Sequence, residues 1–292
     1  MTRTTLLLAL LAVPTALSAQ IRASELASFS QTIDGTKLTV EYSRPRARGR
    51  DTLFGTPAVH WGETWTPGAN WATTLEVSKS VKLNGRAVPK GKYSMWMVVR
   101  KDVDWTVVLE PKVHVYHTDP PDSNAAQIRF AAHPEPAPFT EVLTWSMPAL
   151  RMNGGSLAMQ WERVRIPLTV DVEPSLVTTL SAEEAAPYLG RWTWSSLDST
   201  GKVVRTKLLT ITHEAGVLRG QWTPDHPYFK KFAFVRIAPD WFVPGVYDDK
   251  GELYEVLKPD VVMEFTRADG KAATLVARDD EDKKFGTAVR AP

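Results

Sequence analysis

The sequence predicts an all-β protein: an N-terminal β-sandwich or jelly-roll-like domain at residues 20–174, then a smaller antiparallel β-meander or barrel at 187–292. Three observations predict it. Apolar side chains recur with period two in almost every patterned segment, the spacing of a half-buried strand. Turn signals rich in Gly, Asn, Asp and Pro separate those segments at short intervals, as in sandwiches and barrels. No cysteine occurs in 292 residues, so ordinary hydrophobic cores rather than disulfides must hold the fold.

Residues 1–19 read as a signal peptide. Arg3 supplies the positive n-region, residues 6–13 form an unbroken apolar run, and Pro14 ends any helix beyond it. Ala16, Ser18 and Ala19 offer the small side chains a signal peptidase needs, which places cleavage after Ser18 or Ala19. The run falls short of the roughly 20 apolar residues that span a bilayer. The expectation is an exported chain, periplasmic or secreted, with no transmembrane segment in its mature form. No cysteine follows the apolar run to carry a lipid anchor.

The sandwich elements follow in order. Residues 36–42 alternate apolar and polar side chains, and so do 74–81, which lead into the tight turn Asn84-Gly85. Pro89-Lys90-Gly91-Lys92 turns into a strand at 93–99, and residues 100–104 turn that strand into 105–109. A crossing rich in proline (Pro120, Pro121, Pro134, Pro136, Pro138) precedes an antiparallel pair, 142–147 and 156–161, around Asn153-Gly154-Gly155. Residues 163–172 close a set of about eight strands.

Residues 175–186 read as a linker. Pro174 stops the last strand, and Ser181-Ala182-Glu183-Glu184 forms a capping-box start to one or two helical turns. The alternation then restarts at 188–194, 207–213, 217–223, 232–237, 241–244, 253–257, 261–266 and 273–277. Sequential hairpins between such segments predict an up-and-down sheet that closes or nearly closes. The charged run at 279–284 reads as a solvated turn or tail.

Bulk properties exclude several classes. The formal charge is +2, and +1 once Arg3 is removed, which gives no general pull toward nucleic acid or anionic membrane. Thiol catalysis, cysteine-ligated zinc and iron–sulfur clusters are impossible. His60, His114, His117, His133, His213 and His226 are scattered. On a strand His114 and His117 face opposite ways; only a turned segment would let them share a metal with Asp119 and Asp122. Neither metal nor cofactor is expected. No nucleophile elbow, phosphate loop or paired-histidine zinc motif occurs, so no catalytic residue is assigned.

The candidate ligand-binding residues are Arg44, Arg50, Trp65, Asn70 and Thr73. They fall within residues 43–74, where arginine, tryptophan, glycine and asparagine concentrate with little hydrophobic periodicity, as in a functional loop. Arg44, Arg46, Arg48 and Arg50 recur at every second position. An extended backbone would put all four on one side, facing an anion or guarding a sheet edge. Gly68-Ala69-Asn70 lets backbone approach a ligand, and Trp61, Trp65 and Trp71 suit an aromatic platform for a sugar ring. The same residues also suit a loop folded down as a core plug. In the second half, Trp194, Trp222, Tyr228, Phe232, Phe234, Trp241 and Phe242 suit a packed barrel core better than an apolar ligand cavity.

Ser43-Arg44-Pro45, Gly49-Arg50, Phe54-Gly55, Trp65, Gly68-Ala69-Asn70, Ala72-Thr73-Thr74 and Pro89-Lys90-Gly91-Lys92-Tyr93-Ser94 stand in an order that resembles a bacterial domain-of-unknown-function family, the one numbered 2911. The resemblance covers about residues 38–170. It implies an exported bacterial β-rich domain and transfers no catalytic role. Trp71 departs from the family pattern, which more often has a polar or charged residue there, and is expected to narrow or reshape any pocket beside Asn70. The Gly190-Arg191-Trp192 start of the second half is weakly similar to lipocalin-type barrels.

These readings favour a non-catalytic binding module for a small anionic ligand or a polar envelope glycan, with no nucleic-acid partner and no specified protein partner. One alternative is a hydrolase of an unrecognised type acting on an envelope glycan or ester through Glu63 or His60. The other is a structural or interaction protein.

Overall fold

A computed structural model describes residues 23–225 and 231–291. Residues 1–19, which the sequence reads as a signal peptide, lie outside the described residues, as do His226 and Tyr228. The fold is nearly all β, as the alternation predicts.

The first half stacks two sheets. One contains β1 (Glu25–Ile33), β2 (Thr36–Arg44), β3 (Thr64–Trp65), β4 (Thr74–Val77), β7 (Gly91–Val98), β8 (Trp105–Glu110) and β9 (Ile128–Ala132). Its order is β1-β2-β4-β7-β8-β9, with β3 paired to β7. The other has the order β10-β11-β5-β6, built from β5 (Val81–Leu83), β6 (Arg86–Val88), β10 (Glu135–Arg151) and β11 (Gly154–Val172). Leu38, Val40, Leu75, Met95, Met97 and Val107 from the first sheet meet Leu143, Trp145, Leu157, Met159, Ile166 and Leu168 from the second in one core. The faces follow directly from the period-two pattern.

Three details differ from the sequence expectation. Strand β1 adds an edge whose exposed positions carry Ser28, Ser30 and Thr32 beside one apolar residue, Leu26. Residues 156–161 and 163–172 form one continuous strand. It passes through Glu162 at φ 56°, with a register shift in the β10–β11 ladder beside it. The prolines at 136 and 138 lie within β10 rather than before it. Strand β10 is an edge, where a missing N–H costs no ladder bond.

Ser181 caps the short helix α1 (Ala182–Ala185) as predicted: its hydroxyl accepts from the Glu184 N–H at 3.2 Å, and its own N–H donates to the Glu184 carboxylate at 2.8 Å. The second half is a sheet of nine strands: β12 (Gly190–Leu197), β13 (Val203–Glu214), β14 (Val217–Thr223), β15 (Lys231–Ala238), β16 (Trp241–Tyr247), β17 (Leu253–Val256), β18 (Val262–Ala268), β19 (Lys271–Arg278) and β20 (Lys284–Arg290). Pairing of β15 with β16 closes eight of them into a barrel, with β17 attached beside β16.

The sequence reading missed β20. The run at 279–284 is the turn that feeds it, and β20 then bridges β12 and β19 to close the barrel. Pro244 sits where β16 changes partner, from β18 at Trp241 and Phe242 to β17 at Gly245. A proline has no N–H to offer a ladder, and β18 leaves β16 there.

One barrel end is plugged. Residues 186–188 form a single 3₁₀ turn, and Tyr188, 3% exposed, inserts between Phe242 and Phe265. Its hydroxyl donates to Asp240 at 2.6 Å and accepts from Arg267 at 2.7 Å. Burial, then the Asp240 carboxylate, raises the Tyr188 pKa to about 12. Tyr188 therefore stays neutral in the folded state where the unfolded phenol has begun to ionise at its ordinary pKa of 10.0. Its contribution is complete below pH 10 and disappears as pH rises toward 12. Allowing for partial solvent screening, about 2 kcal/mol should be lost across that window. The Tyr188→Phe variant should show a correspondingly flatter fall in thermal midpoint between pH 10 and 12. An equally steep fall in both proteins would exclude this account.

Candidate functional site

The arginine-rich segment does not form the one-sided stripe that an extended backbone predicts. Strand β2 ends at Arg44, and the chain crosses to the edge of the second sheet. There the Ala47 N–H donates to the Glu141 carbonyl at 2.7 Å, and the Leu143 N–H to the Pro45 carbonyl at 3.0 Å. Arg48 and Gly49 then take positive φ, 55° and 73°, and turn the chain. Alternation of side chains ends with the extended backbone. The Arg44 guanidinium donates to the Leu143 carbonyl at 3.2 Å and the Thr144 hydroxyl at 2.8 Å, tying the two sheets together. Arg50 donates to the carbonyls of Ala47 and Arg46. Arg46, Arg48 and Arg50 remain exposed and, with Ser24 and Pro45, line an open cationic cleft of about 350 Å³.

Residues 65–74 divide between core and surface. Trp65 is half-buried and stacks on Trp161 at 6.0 Å, with Phe54 edge-on to both. Gly55 has φ 82°, and a Cβ there would lie 2.1 Å from the Trp61 ring. Trp65 thus serves packing and Trp61 lies exposed over Gly55, so the predicted three-tryptophan platform does not form. Thr73 is fully buried: its N–H donates to the Thr66 hydroxyl at 2.9 Å, and its hydroxyl to the Pro67 carbonyl at 2.9 Å. Asn70, at φ 60°, donates through Nδ2 to the Ser24 carbonyl at 3.1 Å and the Ser43 hydroxyl at 3.2 Å. Asparagine tolerates this left-handed turn because its short amide can bond locally.

Trp71 alone of the three tryptophans joins a surface aromatic group. It is 44% exposed and stacks on His114 at 3.8 Å, with Tyr116 edge-on at 5.4 Å. The segment carrying His114 is a turn, held by Ala72 N–H to the Val115 carbonyl and His117 N–H to the Asn70 carbonyl, both 2.8 Å. The strand geometry assumed for His114 and His117 is therefore absent. No group of three metal-ligating side chains occurs among the described residues.

Beside this group lies a cleft of about 190 Å³ on the outer face of the first sheet, lined among others by Glu41, Ser43, Trp71, Thr74, Lys92 and His114. The Thr74 hydroxyl is buried here and has no hydrogen-bond partner among the described residues. Buried hydroxyls are nearly always satisfied, so an orphan on a cleft wall is open to a water or a ligand atom. Glu41 and Lys92 are exposed, and neither forms an ion pair within the described residues. Asn70 stands between the two clefts: Ser24 lines one, Ser43 lines the other, and its amide holds both.

A family profile described as Protein of unknown function (DUF2911) matches residues 24–170, half of the chain. The chain belongs to the DUF2911 family. No curated protein and no solved structure matches it. The DUF2911 span includes both clefts and ends within β11, so the barrel lies beyond it. Trp71 forms one side of the smaller cleft.

Glu110 fixes the segment that brings His114 and Tyr116 against Trp71. It is 7% exposed and accepts from the Lys112 N–H, Asn124 and Gln127 at 3.0–3.1 Å. Burial opposes its charge, but these bonds outweigh it and hold the carboxyl below its ordinary pKa. Sequence reasoning missed Thr74, Glu41, Lys92 and Tyr116 as site residues. Thr74 carried a signal, its outward place beside Glu76 in an alternating strand; the others are joined only by the fold. His60 and Glu63 meet through backbone alone, Glu63 N–H to His60 carbonyl at 3.3 Å, and neither lines either cleft.

In the barrel, Trp194, Trp222, Phe232, Phe234 and Phe242 are buried in one aromatic cluster. Trp241 is 39% exposed and points away from it. Among the described residues no helix is long and apolar enough to cross a membrane.

Proposed function

We propose that this DUF2911 protein is an exported, non-catalytic binding protein for an acidic glycan of the cell envelope, held by the region at 20–174 and joined through 175–186 to a second domain at 187–292. The buried Thr74 hydroxyl without a partner carries this reading, because a sugar hydroxyl is the simplest group to complete it. A volume near 190 Å³ lies below the roughly 300 Å³ of a drug-sized site and suits a single sugar ring. Trp71 offers it an apolar wall, while Glu41 and Lys92 offer an acceptor and a donor. An acidic substituent on a neighbouring unit would reach Arg46, Arg48 and Arg50, whose guanidinium groups suit carboxylate. Arg44, Trp65, Asn70 and Thr73 hold the walls in this account, and Arg50 faces the ligand. Arg3, the apolar run at 6–13 and the small residues at 16–19 support export.

The test uses chain recovered from the periplasm or medium, with its new N-terminus at Ala19 or Gln20. Peptidoglycan fragments bearing the muramic acid carboxylate are titrated against it by calorimetry, beside neutral chitin oligosaccharides. Acidic fragments should bind and the neutral ones bind more weakly. Thr74→Val should weaken both by about fivefold to tenfold, the worth of one hydrogen bond. Arg46→Ala should weaken only the acidic series. Affinity unchanged in Thr74→Val, or no binding by either series, would refute the glycan reading. Chain kept in the cytoplasm with residues 1–19 attached would refute export.

A further inference from the structure

The barrel contains a second, independent cavity. Along each strand, the residues next to the Tyr188 plug are packed: Trp192 on β12, Phe242 on β16 and Phe265 on β18. Two positions farther along the same strands, Trp194, Pro244 and Met263 line a cavity of about 360 Å³. The split at Pro244 explains why it opens there: Leu257 and Val261 stand at its edge where β18 leaves β16. The aromatic core is thus complete at one end and hollow at the other.

Its chemistry is one-sided. Most of the wall is aromatic or aliphatic. The polar exceptions are Ser196, Arg205, Lys207 and the indole of Trp222. The Trp222 Nε1–H is buried and has no acceptor among the described residues. Ser196 already accepts from Trp194 Nε1 at 3.0 Å. The Lys207 ammonium stands 5.9 Å above the Trp222 ring. Neither Lys207 nor Arg205 forms an ion pair with a described residue, and no acidic side chain is among the described lining. A buried donor beside two cations, Lys207 and the exposed Arg205, suits an anionic acceptor, whereas the wall suits an apolar body.

We propose that the barrel binds a single-chain amphiphile with a carboxylate head, a fatty acid in chemistry. The tail lies among Trp194, Trp222, Phe232 and Met263. The head meets Lys207 and Arg205 and accepts from the Trp222 indole.

The probes are dodecanoate and dodecan-1-ol, each below its micellar concentration, titrated calorimetrically into the full exported chain. Dodecanoate should saturate at one molecule per chain. Lys207→Glu should weaken dodecanoate at least about tenfold, by opposing the head with like charge, and change dodecanol less than about twofold. Val261→Trp, which fills the cavity edge, should abolish both. Leu257→Trp replaces it if thermal unfolding shows that Val261→Trp does not fold. Three results would overturn the proposal: no saturable dodecanoate binding to the unaltered chain, binding that survives the filled cavity, or binding that ignores the charge reversal at Lys207.

Discussion

Phe54→Ala is expected to remove about 3–5 kcal/mol of stability, the cost of emptying a large aromatic site in a close-packed core. Phe54 is 4% exposed and touches three indoles edge-on: Trp105 at 5.0 Å, Trp65 at 5.6 Å and Trp161 at 6.1 Å. Trp65 and Trp161 are stacked on each other, so the vacated volume cannot be refilled without separating them. Each edge-to-face contact also adds about 0.5–1.5 kcal/mol beyond area burial. The thermal midpoint of the sandwich should fall by about 6–20 °C, since each kcal/mol moves a domain of this size by about 2–4 °C. A conservative Phe54→Leu change should lose distinctly less. A loss below about 1 kcal/mol in Phe54→Ala would mean that the cluster does not form in solution. The measurement bears on function too, because it separates the packed half of the 43–74 segment from the exposed half around Trp71.

Arg290→Ala should open the plugged end of the barrel. Its guanidinium donates to the carbonyls of Ala272 at 2.7 Å, Leu189 at 2.8 Å and Pro187, and it lies 4.8 Å over the Trp192 ring. Bonds to a charged donor contribute about 1.5–3 kcal/mol each but are not additive within one side chain, so a total near 3–5 kcal/mol is expected. Arg290→Lys should recover only a small part, because an ammonium cannot reach three diverging carbonyls as a planar fork does. Near-UV circular dichroism reports the result through Trp192, which is fully buried and donates to the Tyr188 carbonyl at 3.1 Å. Full rescue by lysine would assign the effect to charge rather than geometry.

The contrast between these two residues shows how far sequence carries. Phe54 lies in a segment conspicuous by composition, yet composition did not separate its packing role from a binding one. Arg290 follows a charged run that reads as a tail, and β20 has too few large apolar residues, with Gly286 and Thr287 at its centre, to announce itself. Gly286 is there because a Cβ would lie 2.0 Å from the Trp194 ring, a constraint imposed by a strand about ninety residues earlier. The capping box at Ser181 and the Asn84-Gly85 turn were legible because both ends of each interaction lie within four residues.

The candidate site divides in the same way. Asn70 and Arg50 were visible as unusual residues in an unpatterned loop, and the 43–74 segment does flank both clefts. Thr74, Glu41, Lys92 and His114 meet only because β2, β4 and β7 pair side by side and the segment after β8 folds over their outer face. The sequence by itself determined the β class, the change from sandwich to barrel pattern, the local turns and caps, and the family, because those depend on side-chain period and near neighbours. The tertiary structure alone decided which arginines face solvent, which tryptophan joins the aromatic group beside the smaller cleft, and that the barrel is plugged at one end and hollow at the other. Those outcomes are set by contacts between residues tens to a hundred positions apart, and no local periodicity encodes them.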